Sequence, residues 1–445
     1  MALLTQDEVQ SLLKKVLGYS KADECQVNIN GSEGGNIRYA RNSVSTSGAV
    51  NQASLAIFSV FGKRQGIVTL NEYDDASIEK AVRRSEELAR LAPENPEHMP
   101  FLDPQTYGPQ SNMYVPATAT MSTKQRADMV AQSLQIAKDN KLTAAGFIQN
   151  SGSFFGMMNS KGLFAYNTST DVNFSVTLRT ASGAGSGYMA KDYNDINKLD
   201  VTAASTTAAW KASHSESARA LEPGKYTVIL EPAAGIVLLE NLYGALDARS
   251  ADEGRSFLSK AGGKTRLGEK LVDEQVNIYS DPTNTELPTS SFNGDGRPQE
   301  KISWIEKGVV KNFFYSRYWA QKKGVKAIPG PDGVIMTGGT ASLDDLIKST
   351  DKGILVTRFW YIRSVDPQTL LYTGLTRDGT FYIENGQIKF PIKNFRFNES
   401  PVIMLNNLEA LGRPERTISG ESNNSSLIPP MKIRDFTFSS LSDAV

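Results

Sequence analysis

The second half of the chain is a succession of short strand-like runs, and this feature limits the fold more than any other. After residue 221 there is one strongly apolar, helix-like stretch near residues 233–248. Runs with β-type patterning then alternate with Gly, Pro and Asn turns, as in KISWIEKGVV, GILVTRFWYI, GTFYIENGQIKFPI and PMKIRDFTFS. Such a pattern is typical of a large sheet, sandwich or barrel. We therefore predict a β-rich C-terminal domain with a few helices over residues 222–445.

Two earlier regions each begin with a helix signal and continue as strands. Thr5 with Glu8, and Ser122 with Gln125, form capping boxes ahead of amphipathic stretches. Strand-like runs follow both helices, and a further helix closes each region. We predict an α+β protein with an N-terminal domain over 1–95, a proline-rich linker over 96–121, a central domain over 122–221 and the β-rich domain. The shared order leaves open whether the first two regions arose by duplication.

The charge balance excludes several classes of partner. The 445 residues include 48 basic and 48 acidic side chains, so the formal net charge is zero. The chain therefore lacks the excess of positive charge that is typical of proteins that bind nucleic acid or an anionic membrane. No run reaches the ~18 apolar residues of a membrane span, and the opening residues do not have the pattern of a signal peptide. A single cysteine fits a reducing compartment, so we expect a cytoplasmic protein.

Residues that bind zinc are scarce. The chain contains only His98, His214 and Cys25 as nitrogen or sulfur ligands. A catalytic zinc site would require these three to converge from distant segments. We interpret them instead as a loop histidine, a linker histidine and a small buried thiol, and we expect no metal and no cofactor.

Two glycine-rich runs resemble nucleotide-binding loops incompletely. The run at residues 261–265, AGGKT, has Leu258 where a phosphate loop needs its first glycine. Gly183, Gly185 and Gly187 have the wrong spacing for a dinucleotide fold. We predict a plain turn for the first run and a loop between strands for the second. No serine lies in a G-x-S-x-G motif either.

Several segments, in the same order over about 400 residues, resemble the TldD/PmbA family. They include IRYARNSVSTS, FSVFGKRQGIVTLNEYDDASIEKAVRRSEELARLAP, MMNSKGLFAYNTST, LEPGKYTVILEPAAGIVLLENL, SSFNGDGRPQEKISWIEKGVVKNFFYSRYWAQKKG and TGLTRDGTFYIENGQIKFPI. Members of this family have been called modulators of DNA gyrase and are regarded as a metalloprotease. The resemblance implies a dimer that encloses a cavity in which unfolded or peptide substrates are cut.

One branch of that family carries an HExxxH zinc motif on the helix after the GKYTVIL-type strand, with a further cysteine near the C-terminus. Laid on this motif, GIVLLENLYGALD places Leu239 at the first histidine, Glu240 at the glutamate and Gly244 at the second histidine. No cysteine lies in the C-terminal stretch. The chain therefore resembles the PmbA branch, also called TldE, which lacks the metal motif.

Candidate site residues follow from this alignment. Besides Glu240, we consider Tyr243 and Asp247 on the same stretch, and Asn293, Asp295 and Arg297 in the FNGDGRP turn, as residues of a substrate groove. For Glu240 we prefer the interpretation as a solvated or capping carboxylate, whereas a tight turn at Gly294 and Gly296 explains the turn residues equally well. The aromatic residues Trp304, Trp319, Trp360 and Phe313–Tyr315 fit core packing better than a binding surface.

Three functional hypotheses remain. The first is a metal-free subunit that holds substrate and pairs with an HExxxH-bearing partner, whose zinc cuts the peptide. The second is a stand-alone homodimeric peptide-binding protein that has lost proteolysis. The third gathers Glu240, Asp247 and Asp295 around magnesium or calcium, although their spacing matches no known ion-binding loop. Whether the chain alone is an enzyme is uncertain, and inactivity is expected because the zinc ligands are missing.

Overall fold

Long antiparallel strands and the helices that cover them make up the first half of the protein. The computed structural model describes residues 3–420, 422 and 424–442. The elements of this half are α1 (Gln6–Tyr19), β1 (Glu24–Ala40), β2 (Ser43–Phe61), β3 (Arg64–Leu70), α2 (Asp75–Leu91), α3 (Pro116–Ala119), α4 (Thr123–Asp139), β4 (Thr143–Asn159), β5 (Phe164–Arg179), β6 (Ser186–Tyr193), a 3₁₀ turn (Ile196–Lys198) and α5 (Val201–His214).

The predicted helix starts are confirmed. The Thr5 hydroxyl accepts from the Glu8 amide while the Glu8 carboxylate accepts from the Thr5 amide, and Ser122 and Gln125 repeat this arrangement. The helix that closes the second region, α5, begins at Val201 and ends at His214, and Ser215 serves as its C-cap. Local capping signals thus determine where these helices begin, because they satisfy amide groups that have no partner inside the helix.

One six-stranded sheet in the order β3-β2-β1-β4-β5-β6 joins the two predicted N-terminal regions. β1 pairs with β2 on one edge and with β4 on the other, from Gln26 opposite Asn159 to Tyr39 opposite Gly146. The strand-like runs CQVNI and NIRYA are parts of the single strand β1. The division into domains at residues 95 and 122 stays a prediction, since strands from both regions share this sheet.

Short strands dominate the second half, as the sequence predicts. The elements are β7 (Gly224–Leu230), α6 (Pro232–Gly244), α7 (Ala248–Asp252), β8 (Ser259–Lys260), β9 (Lys264–Thr265), β10 (Ile278–Ser280), β11 (Ile302–Glu306), β12 (Val309–Val310), α8 (Arg317–Lys323), β13 (Val334–Met336), α9 (Leu343–Lys348), β14 (Lys352–Asp366), β15 (Leu371–Glu384), β16 (Gln387–Pro391), β17 (Phe395–Glu399), α10 (Pro401–Asn406), β18 (Leu408–Leu411), β19 (Glu415–Ile418), β20 (Ser425–Ile428) and β21 (Met431–Leu441).

The main sheet of this half closes on itself. Pairing runs from β14 through β7, β21, β17 and β15, and β15 pairs again with β14. Of the predicted alternatives, sandwich or barrel, the structure therefore has a barrel-like sheet. Closure removes exposed edges, and the interior is filled by fully buried aromatic side chains, Phe395, Phe397, Phe436 and Phe438 among them.

A second six-stranded sheet, in the order β12-β11-β10-β13-β20-β19, lies beside the barrel. α6 contacts both β19 and β20 of this sheet and β14 of the barrel. The predicted helix near residues 233–248 is in fact two helices. α6 ends at Gly244, and Asp247 then caps α7 by accepting a hydrogen bond from the Ser250 amide at 2.7 Å.

The first glycine-rich run is a turn, as predicted, whereas only part of the second lies in a loop, because Gly187 belongs to β6. Gly262 and Gly263 have positive φ angles of 75° and 69° in the turn between β8 and β9, a conformation that glycine adopts without steric cost. Gly183 and Gly185 lie in the loop between β5 and β6. No helix in the described part of the chain is both long and apolar enough for a transmembrane span.

Candidate functional site

α6 is fixed inside the core of the C-terminal half. Pro232 occupies its first turn, where a missing amide hydrogen costs nothing. Ile236, Leu238, Leu239 and Leu242 are all fully buried. A helix that is apolar around most of its circumference packs on several sides. The residues of α6 are therefore held rigidly, including those at the positions of the family's metal motif.

The three motif positions have different surroundings. Leu239 is fully buried in the hydrophobic core, whereas Glu240 and Gly244 line a cavity of about 540 Å³. A leucine and a glycine offer no side-chain donor to a metal ion, so the residues present do not fit the zinc site of the HExxxH branch. What remains of that site is a carboxylate at the wall of a cavity.

The cavity is large enough for several residues of an extended peptide, and both polar and apolar residues line it. Its wall is formed by α6, by the strands β13, β19 and β20, and by several loops, among them those at residues 287–290 and 330–333. Its lining comprises Met113, Glu240, Tyr243, Gly244, Leu287, Pro288, Thr289, Ser290, Phe314, Gly330, Pro331, Asp332, Gly333, Val334, Arg416, Asn424, Ser425 and Ser426.

Glu240 is held by a serine from the C-terminal region. Ser422 Oγ donates to Glu240 Oε1 at 2.5 Å. Burial raises the pKa of the Glu240 carboxyl above its ordinary value, while hydrogen bonds from Ser422 and Ser419 act in the opposite direction. This carboxyl is consequently easier to protonate than an exposed glutamate, and its proton could be donated to a carbonyl oxygen of a bound ligand.

Tyr243, one turn further along α6, has a buried hydroxyl with no hydrogen-bond partner among the described residues. The side chain is 5% exposed and lines the cavity. Burial raises the pKa of Tyr243 well above its ordinary value, and the neighbouring Glu240 charge acts in the same direction. An unsatisfied buried hydroxyl costs about 1–3 kcal/mol, so the group is available to a ligand that supplies a partner.

A network of charged residues borders the cavity where the two halves of the protein meet. Arg416 donates to Asp192 Oδ2 from Nη2 at 2.8 Å, and Ser425 donates to the same carboxylate. Asp171 faces Asp192, and its pKa is raised to about 8, first by burial and then by the neighbouring carboxylate. The pKa of Asp192 is lowered, because burial is outweighed by hydrogen bonds and by the charge of Arg416. The two carboxyls therefore share a proton at neutral pH.

This network was not predicted from the sequence. Asp171, Asp192 and Arg416 lie on β5, β6 and β19, and no motif connects them. The one signal that could have led to this network was Asp192, an acidic residue of β6 that is only 2% exposed. A buried charge requires a partner.

The remaining predicted site residues lie outside the cavity lining. Asp247 caps α7. Arg297 forms an ion pair with Asp295, with Nε 2.9 Å from Oδ2, and donates to the Tyr315 carbonyl. The Asn293 carboxamide oxygen accepts from the Arg297 amide at 2.9 Å, and Gly296 has a φ of +86°. Asn293, Asp295 and Arg297 thus stabilise a tight turn, and Arg297 also lines a separate surface groove.

The structure does not bring the scarce metal ligands together. Within the described residues, no three histidine, cysteine, aspartate or glutamate side chains form a group that could bind a metal ion. Cys25 is buried under α1 and α2, which raises its pKa to about 11, and the His214 ring stacks on Trp210. Glu240, Asp247 and Asp295 do not form a cation site either.

Most of the aromatic residues are core residues. Trp304, Trp319 and Phe313 are at most 4% exposed. Phe314 lines the cavity, and Trp360 is 36% exposed on β14. Core packing therefore accounts for the first three, while Phe314 remains a candidate for ligand contact.

The C-terminal half of the chain, which contains α6, is similar to known proteins. Residues 223–440 match the family model of the PmbA/TldA metallopeptidase C-terminal domain. Residues 223–440, about half of the chain, therefore form a domain of the PmbA/TldD family. It is 25% identical to the metalloprotease PmbA of Escherichia coli O157:H7 over 223 residues, which are 49% of this chain and 47% of that protein. The alignment thus spans about half the length of PmbA.

Two further matches extend over most of the chain. An uncharacterized protein of Methanocaldococcus jannaschii is 24% identical over 383 residues, which are 81% of this chain and 86% of that protein. The crystal structure of TldE from Thermococcus kodakarensis superposes with a TM-score of 0.85 at 19% identity, covering 97% of this chain and 99% of that chain. At this identity the superposition establishes a shared fold.

Proposed function

We propose that the chain is a non-catalytic, metal-free subunit of a TldD/PmbA-type metalloprotease complex, of the PmbA (TldE) branch, that pairs with an HExxxH-bearing partner. The observation that carries the proposal is the environment of α6. Leu239 is fixed in the core and Gly244 offers no side chain, yet the cavity beside them persists with Glu240 in its wall. A family member with such a helix can hold a substrate but has no ligands for a hydrolytic metal.

In this account the cavity holds a peptide mainly through its main chain. The stretches at residues 287–290 and 424–426 face the cavity and present serine and threonine hydroxyls and main-chain groups to it. Hydrogen bonds to an extended backbone provide affinity without strict sequence choice. The Tyr243 hydroxyl would gain its missing partner from such a ligand, which is a favourable exchange for both groups.

A stand-alone homodimeric peptide-binding protein is the second candidate. It requires the same cavity and no partner with a metal. The presence of a large cavity without metal ligands supports this function as well. The two candidates differ in one respect only: whether an HExxxH-bearing relative binds the chain and cuts what it holds.

The test combines the purified chain with a candidate HExxxH-bearing relative. We expect the two to co-purify, and an unfolded peptide to be hydrolysed by the mixture but not by this chain alone. Cleavage by the isolated chain that a chelator stops would contradict the proposal. Binding of the peptide without any association with the relative would instead support the stand-alone protein.

A matched pair of variants tests the cavity itself. A Cβ atom added at Gly244 meets nothing within 4 Å, and the same is true of Gly18 at the end of α1. Gly244→Leu would therefore fill the cavity without disturbing the fold, whereas Gly18→Leu would add the same side chain elsewhere. We expect the first variant to weaken binding of an unfolded peptide by about tenfold or more, which is about 1.4 kcal/mol, and the second to leave it unchanged.

The proposal includes a cytoplasmic location, which the single cysteine supports. It also includes no nucleic-acid or membrane partner, which the zero net charge supports. Binding of duplex DNA that weakens as salt is added would contradict the absence of a nucleic-acid partner, because phosphate contacts release counterions. Absence of binding at every salt concentration would agree with it.

A further inference from the structure

Two of the described residues that line the cavity beside α6 are carboxylates without a countercharge. Glu240 faces the cavity from α6, and Asp332 faces it from the loop before β13. No lysine, arginine or histidine in the described part of the chain forms an ion pair with either of them. Hydrogen bonds from serine hydroxyls support Glu240, but a charge that is partly removed from water is stabilised best by an opposite charge. The cavity therefore favours a ligand that carries a positive charge.

The basic side chain at the cavity is already paired. Of the described residues in the lining, only Arg416 is basic. It donates from Nε and Nη2 to Asp192 Oδ2 at 3.1 and 2.8 Å, and from Nη1 to the Glu286 carbonyl at 3.3 Å. Asp171 and Asp192 share a proton and so carry one negative charge, which Arg416 balances. The charge that remains in the lining is that of the two unpaired carboxylates, and it is negative.

The end of α6 adds to this negative potential. Glu240 and Tyr243 lie near the end of the helix, which stops at Gly244 and has no basic residue in its final turn. A helix C-terminus carries a partial negative charge, so a cation is stabilising there and a glutamate is not. The chain thus leaves this helix end without the countercharge that would stabilise it, at the point where the helix borders the cavity.

The Tyr243 hydroxyl is a second, independent sign of a missing ligand group. It is buried without a hydrogen-bond partner in the described part of the chain, and its side chain lines the cavity at 5% exposure. The charge of Glu240 acts on this hydroxyl, so the two groups are close to each other. A cationic N–H donor beside them can bond to both the carboxylate and the hydroxyl oxygen. Phe314 adds an aromatic ring to the lining, and the face of such a ring attracts cations.

We propose that the cavity binds a positively charged group of a peptide, an ammonium or a guanidinium, against Glu240 and the Tyr243 hydroxyl. This role rests on the proposed function and names the class of peptide that the cavity selects. The charge comes from a lysine or arginine side chain or from the amino terminus. A metal ion fits less well, because no three metal-binding side chains form a group within the described residues. An organic cation needs fewer carboxylates, since hydroxyl oxygens also accept its hydrogen bonds.

Matched peptides test this selection. The probe is a short peptide of glycine, serine and alanine with blocked ends and one central lysine. A second peptide has norleucine in place of the lysine, and a third has norleucine and a free amino terminus. In calorimetric titrations of the full chain, we expect the lysine peptide to bind about tenfold more tightly than the blocked norleucine peptide. A similar gain for the third peptide would show that the amino terminus also binds at this site.

The outcomes separate this role from the proposed function. Equal affinity of all three peptides would overturn the selection of a cation and leave the proposed function intact. Absence of binding by all three would overturn both.

Glu240→Gln removes the charge and keeps the shape of the side chain. We expect the difference in affinity between the charged and the neutral peptide to disappear in this variant. Glu79→Gln is the control, because Glu79 is exposed on α2 and its replacement changes the net charge of the chain equally. A preference for the charged peptide that survives Glu240→Gln would overturn the proposal.

A lysine that the chain itself places in the cavity tests the charge without any peptide. A Cβ atom added at Gly244 meets nothing within 4 Å, and the position is one helical turn after Glu240, where a lysine pairs favourably with a glutamate. Gly244→Lys should therefore melt at a higher temperature than Gly244→Met, whose side chain has a similar length and helix propensity. Equal melting temperatures, or a lower one for the lysine variant, would overturn the proposal.

Discussion

Lys211 on α5 and Glu231 at the N-terminus of α6 form an ion pair, with Nζ 2.7 Å from Oε2. Both side chains are almost fully buried, at 4% and 9% exposure. Thr357 donates a further hydrogen bond to Glu231. The pair therefore fastens the helix that borders the candidate site to the N-terminal half of the protein.

Loss of one partner of this pair should be costly. Lys211→Met keeps the length of the side chain but leaves Glu231 buried without its countercharge. We expect the free energy of unfolding to fall by about 3–5 kcal/mol, measured by urea denaturation. The double variant Lys211→Met, Glu231→Gln should recover much of this loss, because no unpaired charge remains. Equal destabilisation by the single and double variants would show that the charge is not the cause.

The shared proton of Asp171 and Asp192 predicts a pH-dependent stability. The pKa of Asp171 is raised to about 8 in the folded protein, against about 3.9 in an unfolded chain. The folded state therefore holds a proton that the unfolded state has lost, and the contribution of this group to stability is lost progressively as pH rises from about 4 to about 8.

Asp171→Asn should remove this dependence, because an amide can donate to Asp192 at every pH. We expect its melting temperature to exceed that of the wild type by a margin that grows between pH 5 and pH 8 and then stays constant. Ser425→Ala, which changes the hydrogen bonding of Asp192 without removing a titrating group, is the control. A margin that does not change with pH would contradict the shared proton.

Glu240→Gln tests the electrostatics of the cavity wall. Burial raises the pKa of Glu240, so its contribution to stability is complete below the ordinary glutamate pKa of about 4.3 and is lost as pH rises through the folded value. Glutamine can still accept the hydrogen bond from Ser422. We expect the variant to match the wild type in thermal melts at pH 4 and to be more stable at pH 8. A lower stability at pH 8 would contradict this interpretation.

Tyr243→Phe tests whether the Tyr243 hydroxyl binds a ligand or has a structural partner in the folded chain. Because the hydroxyl has no partner among the described residues, its removal should leave the free energy of unfolding unchanged or raise it by about 1 kcal/mol. Peptide binding should weaken at the same time, in an equilibrium titration with an unfolded peptide. A clear loss of stability would indicate that the hydroxyl has a structural partner.

Local features of the fold could be predicted from the sequence. The capping boxes at Thr5 and Ser122 determine where α1 and α4 begin, and the alternation of apolar residues after Cys25 indicates strands. These patterns depend on neighbours within a few residues, so they do not indicate which strands pair. The pairing of β1 with β4, more than 100 residues apart in sequence, and the closure of β14 on β15 required the structure.

The candidate site was predicted only in part, because sequence patterns do not indicate which distant segments meet in the fold. The motif alignment leads to Glu240 and Gly244, which the structure places at one cavity. It gave no indication of Ser422, Arg416 or Asp192, because these residues are brought near α6 only by tertiary folding. Asn293, Asp295 and Arg297 were proposed from a glycine-rich turn, and their mutual hydrogen bonds account for that turn. Their place in a substrate groove stays a prediction.

The most direct test of the central claim is the zinc content of the purified, unchelated chain, measured before and after it binds an HExxxH-bearing relative. The account predicts no zinc in the isolated chain and one zinc ion per heterodimer, carried by the relative. One zinc ion per isolated chain would contradict the account, because His98, His214 or Cys25 would then have to form a site that the cavity beside α6 does not contain.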